Sequence, residues 1–191
     1  DSARSLLRQL LKLPNELIEQ YTNGEGTFHN YTRYWKGARI FKLHAISVAG
    51  ILLNTDLKIT DSEKKSLQQL IGLMARIVWD DNNVPAFDSA GVNMGPANML
   101  FQYRNNARVF FALLMAENPE FKSRAQQIVA MVQKDIDNAF YKNGASFGTP
   151  HYIQAAVDPI LFTVLQIRQA GLSTGKTWEP VLARFAKFYM S

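Results

Sequence analysis

The sequence contains no cysteine among its 191 residues. Disulfide bonds, thiolate metal sites and a cysteine nucleophile are therefore excluded. It also lacks a long hydrophobic run. The best apolar stretch, Ile46 to Leu53, is far shorter than the ~18 residues of a membrane-spanning helix and includes Ser47 and Gly50. We therefore expect no membrane partner.

Two further patterns are missing. No segment alternates apolar and polar residues over the length of a strand, and the basic residues are dispersed, so nucleic-acid binding is disfavoured. The excess of 21 Lys+Arg over 16 Asp+Glu gives a net charge of +5, which suits an acidic polymer as partner. The 47% apolar content is enough for a hydrophobic core, and the length suggests a single domain over residues 1–191.

The dominant pattern in the sequence is the recurrence of apolar residues at helical spacing, which predicts an all-α fold. A leading helix is expected over residues 3–21, interrupted at Pro14. Pairs of helices joined by plain turns follow it. We interpret these pairs as antiparallel hairpins over residues 32–79, 97–139 and 152–189.

Several residues mark where helices begin or break. Thr60 and Glu63 have the spacing of a capping box, and Asn118 followed by Pro119 is typical of an N-cap with a first-turn proline. Pro159 is expected to start, kink or split the helix that surrounds it.

The helix over residues 32–53 is predicted to bury one broad face. Its histidine, His44, is interpreted as a hydrogen-bonded core residue rather than a catalyst. The residues of this face are Ile40, Leu43, His44, Ser47, Val48 and Ile51.

The loops are of two alternating kinds. Long, glycine-bearing loops at residues 23–31, 80–98 and 143–152 alternate with plainer turns. Because alternate connections of consecutive antiparallel hairpins lie at the same end, we expect these three loops to share one face. Functional residues are often found on loops that a rigid scaffold holds in place.

Two histidines stand just before apolar helices in these loops. His29 and His151 carry the side chain most easily poised for proton transfer near neutral pH, and Tyr152 adds a phenol beside His151. The structural alternative is a helix-capping histidine with a packed tyrosine.

Asn98 is predicted to fall in the first turn of its helix. Backbone N–H groups and the positive end of the helix dipole favour an anion there, with Arg104 or Arg108 one or two turns further on. The alternative is a loop asparagine that satisfies backbone groups. If this is an inner helix, its first two turns, which include Gln102 and Tyr103, line a cleft.

Three short stretches at or beside the long, glycine-bearing loops resemble segments of a known protein family. They are Asn30-Tyr31-Thr32-Arg33-Tyr34-Trp35-Lys36-Gly37-Ala38-Arg39-Ile40, Gly95-Pro96-Ala97-Asn98, and Asn143-Gly144-Ala145-Ser146-Phe147 with His151 after it. In these stretches the chain resembles the α/α-toroid polysaccharide lyases of the hyaluronate, chondroitin and alginate type, and the heparinase-like group. The chain departs from the family at Tyr152, since the family tyrosine usually lies further beyond the histidine.

The resemblance implies an incomplete toroid, because three hairpins are about half of a six-hairpin ring, and so a piece of a larger toroid protein. It implies β-elimination on an acidic, uronic-acid polysaccharide or oligosaccharide in a secreted or periplasmic setting, with no cofactor and no metal. Asn98 would neutralise the uronate carboxylate, and His151 or Tyr152 would take the C5 proton. The residues expected to bind substrate are His29, Asn30, Tyr31, Trp35, Gln102, Tyr103 and Arg104.

Two other functions fit the same architecture. One is a glycoside hydrolase that uses paired carboxylates, such as Glu25 with Asp81 or Asp88. The other is a helical carbohydrate-binding or interaction module without catalysis.

Overall fold

The computed structural model describes residues 2–23, 35–80, 99–145, 150–172 and 178–190. These residues form helices with no β-strand among them, which confirms the all-α prediction. Within the described ranges, no helix is both long and apolar enough to cross a membrane. In chain order, the helices are α1 (Ser2–Asn23), α2 (Trp35–Leu53), α3 (Asp61–Trp79), α4 (Met99–Leu114), α5 (Pro119–Ala139), α6 (Pro150–Gln169) and α7 (Glu179–Met190).

The chain divides into two compact units. Unit 1 is Asp1–Val84 and contains α1 to α3, whereas unit 2 is Pro85–Ser191 and contains α4 to α7. The expectation of one domain over residues 1–191 stays a prediction.

In unit 1, all three helices pack against one another. Each contributes one apolar side to a common core, as expected of amphipathic helices around a small hydrophobic centre. The buried core side chains are Leu7, Leu10 and Leu17 of α1, Phe41, Ala45, Val48 and Ile51 of α2, and Leu67, Leu70, Ile71, Met74, Ala75, Ile77 and Val78 of α3.

The expected interruption at Pro14 is wrong, because α1 runs through it without a break. Proline has no N–H to donate to the carbonyl of Leu10 and normally costs an interior helix about 3 kcal/mol. Burial of Leu10 on one side of Pro14 and of Leu17 on the other holds the two segments in one helix.

The buried face of α2 also differs from the prediction. Phe41 and Ala45 are buried with Val48 and Ile51, whereas Leu43 is 53% exposed. A helix with apolar residues on most of its sides has no single best face, so the neighbouring helices decide which one is covered. On the uncovered side, the hydroxyl of Ser47 donates to the carbonyl oxygen of Leu43 at 3.0 Å.

The predicted capping box at the start of α3 is confirmed. The backbone N–H of Glu63 donates to Oγ1 of Thr60 at 3.2 Å, and the backbone N–H of Thr60 donates to Oε2 of Glu63 at 2.7 Å. These hydrogen bonds, with Arg4 lying 3.8 Å from Oε1 of the same carboxylate, lower the pKa of Glu63 below its usual value.

Glu63→Gln is expected to destabilise the chain at pH 7 and progressively less in acid. A carboxyl whose pKa is lowered by folding stabilises the fold above its unfolded pKa, and this contribution is lost as the pH falls through the folded value. Urea unfolding of both proteins between neutral and acid pH measures the difference.

The control for this experiment is Asn118→Ala, which removes a cap that does not titrate. The side chain of Asn118 accepts from the backbone N–H of Glu120 at 3.0 Å, and its loss should cost about 1 kcal/mol at every pH. A Glu63→Gln effect that stays constant with pH would contradict the role of the carboxylate.

In unit 2, the most extensive helix packing joins α4 to α6, which belong to different predicted hairpins. The predicted partner of α4 is α5, and these two also pack, on either side of the tight turn before Asn118 and Pro119. At the α6–α7 connection, Arg168 lies 3.4 Å from Glu179. Which helices pack most closely depends on their apolar sides and not on their order along the chain.

Helix α7 packs on the turn that follows α5. The ring of Phe185 meets that of Phe140 edge to face, with centroids 5.2 Å apart. Gly144 in this turn has a φ of +96°, and a Cβ on it would overlap the backbone carbonyl group of Arg184 and lie 2.7 Å from the amide nitrogen of Phe185. Just before α7, Trp178 is fully buried.

Pro159 neither starts nor splits a helix, since α6 continues on both sides of it. Its carbonyl oxygen accepts from Oγ1 of Thr163 at 2.7 Å and from Nδ2 of Asn106 at 3.3 Å. The second half of α6 is thereby fastened to α4.

Candidate functional site

The middle of α4 buries a group of polar and charged side chains. Arg104 and Arg108 are each only 7% exposed, and Asn105 and Asn106 between them are buried as well. Guanidinium groups are rarely withdrawn from water unless acceptors satisfy them, because burial of an uncompensated charge is costly. This polar cluster therefore places two positive charges, each with interaction partners in the chain, inside unit 2.

The four side chains of the cluster do not all lie on the same side of α4. Arg104 and Arg108 are four residues apart and so lie on one side of α4. Asn106 faces α6, where its Nδ2 donates to Oγ1 of Thr163 at 2.8 Å. Nε of Arg104 and Oδ1 of Asn105 are 3.4 Å apart, a long hydrogen bond. Asn106 thus fixes α4 against α6, and the arginines carry the charge.

The starts of α4 and α6 lie at the same end of unit 2. The tight turn before Pro119 reverses the chain, so α5 ends near the start of α4. A second turn is closed by the backbone N–H of Tyr141, which donates to the carbonyl oxygen of Ala145, and by that of Gly144, which donates to the carbonyl oxygen of Tyr141. From Ala145 the chain can reach at most about 18 Å to Pro150. The far end of α4 is about 24 Å from its start, which is farther than this segment can reach. We therefore infer that α6 begins beside the start of α4.

The pairing of α4 with α6 determines how far His151 lies from the arginines along the helix axes. His151 and Tyr152 lie in the first turn of α6, which begins at Pro150, two residues before the predicted boundary. Since Asn106 is level with the turn from Pro159 to Thr163, the backbone of His151 lies about 9–15 Å from that of Arg104 along the helix axes. Arg104 and Arg108 each lie two residues from Asn106, so they project from the side of α4 roughly opposite to the one that faces α6.

The remaining predicted site residues are placed as follows. Gln102 and Tyr103 lie on α4 with Arg104, and Trp35 is the first residue of α2 in unit 1. The other expected site residues, His29, Asn30, Tyr31 and Asn98, lie outside the described residues, as do the carboxylates Glu25, Asp81 and Asp88. No group of three or more potential metal ligands occurs in the part of the chain that the structure describes.

Sequence reasoning named Arg108 only as an alternative to Arg104 near a bound anion, and it did not predict that both arginines are buried. Arginine and asparagine are usually exposed, so the composition of residues 104–108 does not by itself indicate burial. The available signal is the position of these residues directly before Phe110 and Phe111, in a helix that is otherwise apolar. His44, by contrast, is half-buried on α2, and burial lowers its pKa below the usual value.

Comparison with known proteins adds no assignment. The chain matches no family model, and no match was found among curated proteins or solved structures. The resemblance to toroid lyases therefore stays a prediction based on three short stretches of sequence.

Proposed function

We propose that unit 2 binds a carboxylate-bearing sugar polymer at the end where α4 and α6 begin, and cleaves it by β-elimination. The observation that carries this proposal is the pair of buried guanidinium groups of Arg104 and Arg108 in α4, a helix that starts at the same end of unit 2 as α6 with its His151 and Tyr152. Arginine is the side chain best matched to a carboxylate, because its planar fork binds both oxygens.

In the proposed reaction, Arg104 and Asn98 bind the uronate carboxylate and so acidify the neighbouring C5–H. His151 or Tyr152 takes the C5 proton, the C4–C5 double bond forms, and the bond from C4 to the glycosidic oxygen breaks. That oxygen leaves with a proton from the tyrosine. Fixed positive charge at the enolate-like intermediate supplies the largest part of the rate enhancement.

The same proposal includes an architecture and a location. The pairing of α4 with α6, which are successive first helices of hairpins, supports an incomplete α/α-toroid arrangement in which these are inner helices. A uronic-acid polymer as substrate supports a secreted or periplasmic protein.

The experiment is an assay of the full chain against a panel of uronate polymers, following the absorbance of the unsaturated product. Arg104→Met should lower kcat/KM by about a hundredfold or more, since a preorganised charge at the intermediate is lost. His151→Ala should lower kcat by about 10²–10⁴ while the polymer still binds. His44→Ala is the control and should leave activity unchanged.

The outcomes separate the three functions. Unsaturated product that depends on His151 supports the lyase, and reducing ends without unsaturation, lost on Glu25→Gln, support a hydrolase. Binding that Arg104→Met weakens, with no product from any polymer, supports a binding module. No product together with binding unchanged in Asn98→Ala would overturn the proposal.

A further inference from the structure

The outward side of α6 carries an apolar patch that no other part of the described chain covers. Leu161, Phe162 and Leu165 are 41%, 60% and 51% exposed, whereas Ile160, Val164 and Ile167 on the opposite side are buried. Leu161 and Leu165 are one helical turn apart, and Phe162 lies beside them. Contiguous exposed apolar surface of this kind is typical of an interaction site.

Charged residues of opposite sign stand at the two ends of the patch. Asp158 lies one turn before Leu161, and Arg168 lies one turn after Leu165; both are exposed. The spacing of Asp158, Leu161, Leu165 and Arg168 is three, four and three residues. This is the spacing of the seam by which two helices pack in a coiled coil.

The order of these residues selects one kind of partner. If two α6 helices pack antiparallel through this seam, Asp158 of one faces Arg168 of the other, and Leu161 faces Leu165, each pair occurring twice. In a parallel pair, Asp158 would face another Asp158, and like charges would repel. The seam is therefore complementary to itself about a two-fold axis, as an isologous dimer interface requires.

We propose that α6 is a self-association surface, through which two copies of the chain form an antiparallel, two-fold symmetric dimer. In each copy, Arg168 already lies 3.4 Å from Glu179, so in the dimer its guanidinium stands between two carboxylates. The proposal is independent of the proposed lyase activity, since it uses only the outward face of α6.

The first test is sedimentation equilibrium of the full chain at about 5–500 µM, the range expected for a small interface. The average mass should rise from 21.6 kDa toward twice that value as the concentration increases. Leu165→Glu should hold it at 21.6 kDa across the range, because the substitution places two like charges in the seam. Leu43→Glu on α2, at a residue of nearly equal exposure, is the control and should associate like the parent.

The second test reverses the charges. Asp158→Arg and Arg168→Asp should each raise the dimer dissociation constant about tenfold, because each puts like charges opposite each other twice. The double variant restores opposite charges across the seam and should recover the parent constant to within about threefold. The double variant still lacks the Arg168–Glu179 ion pair. Recovery of the dissociation constant therefore reports the contact between copies alone.

Three results would overturn the proposal: a mass of 21.6 kDa at all concentrations, association that survives Leu165→Glu, or no recovery in the double variant. All the substituted residues are exposed, and far-ultraviolet circular dichroism verifies that each variant keeps its helices.

Discussion

Gly144→Ala is expected to lower the free energy of unfolding by about 3 kcal/mol. Alanine at a φ of +96° costs about 1–2 kcal/mol in backbone strain. The added Cβ also overlaps the backbone of Arg184, and backbone atoms cannot turn aside as a flexible side chain can, so α7 must shift away from the turn. Urea unfolding at constant pH measures the loss.

Two other glycines are matched controls for this substitution. Gly171 also has a positive φ, +69°, but open space around it, so Gly171→Ala should cost only about 1 kcal/mol of strain. Gly50 lies inside α2 with nothing near its Cβ position, and Gly50→Ala should stabilise the chain by about 0.5–1 kcal/mol. If Gly144→Ala costs no more than Gly171→Ala, the close approach of α7 to the turn is wrong.

The substitution also bears on the resemblance to lyases. Gly144 belongs to one of the three stretches in which the chain resembles the lyases, yet its conformation and the nearness of Arg184 already explain why a glycine stands there. A glycine required by packing is no sign of catalysis. Within this stretch, the hypothesis of a catalytic role therefore depends on His151.

Trp178→Ala is expected to have a still larger effect, about 3–5 kcal/mol. Its side chain is fully buried, and removal of an aromatic ring from a core loses its transfer free energy and leaves a cavity. The carbonyl oxygen of Trp178 also accepts from the backbone N–H groups of Val181 and Leu182, both at 3.0 Å, so the ring is fixed at the start of α7. Chemical unfolding gives the loss.

The control is Leu172→Ala, a truncation of an exposed apolar residue a short way before Trp178. Leu172 is 43% exposed, so its truncation should cost less than about 1 kcal/mol. Equal costs at the two positions would show that the Trp178 ring does not anchor α7.

Local signals were sufficient where the interaction is itself local. Thr60 with Glu63, and Asn118 with Pro119, lie within one turn of each other, so their spacing alone predicted the caps. Pro14 shows where such signals fail, since burial of the leucines around it outweighs the missing hydrogen bond. Which face of α2 is buried depends on residues far along the chain. The periodicity of a single helix carries no information about them.

The candidate site was predictable to a similar extent. Alternation of the loops placed the starts of α4 and α6 at one end, and the topology of unit 2 agrees. Burial of Arg104 and Arg108 was not predictable, because the composition of a short run does not reveal what packs over it. The pairing of α4 with α6 through Asn106 and Thr163 joins residues 57 positions apart.

The proline within α6 has a consequence for how that helix moves. Pro159 has no N–H, so the carbonyl oxygen of Ala155 lacks its usual donor, and the turns before and after the proline are joined by one hydrogen bond fewer. Asn106 and Thr163 fasten the later turns to α4, and a bend in a helix concentrates at such a proline. Any bend in α6 should therefore occur at Pro159, between the turns that carry His151 and Tyr152 and the turns that are fastened to α4.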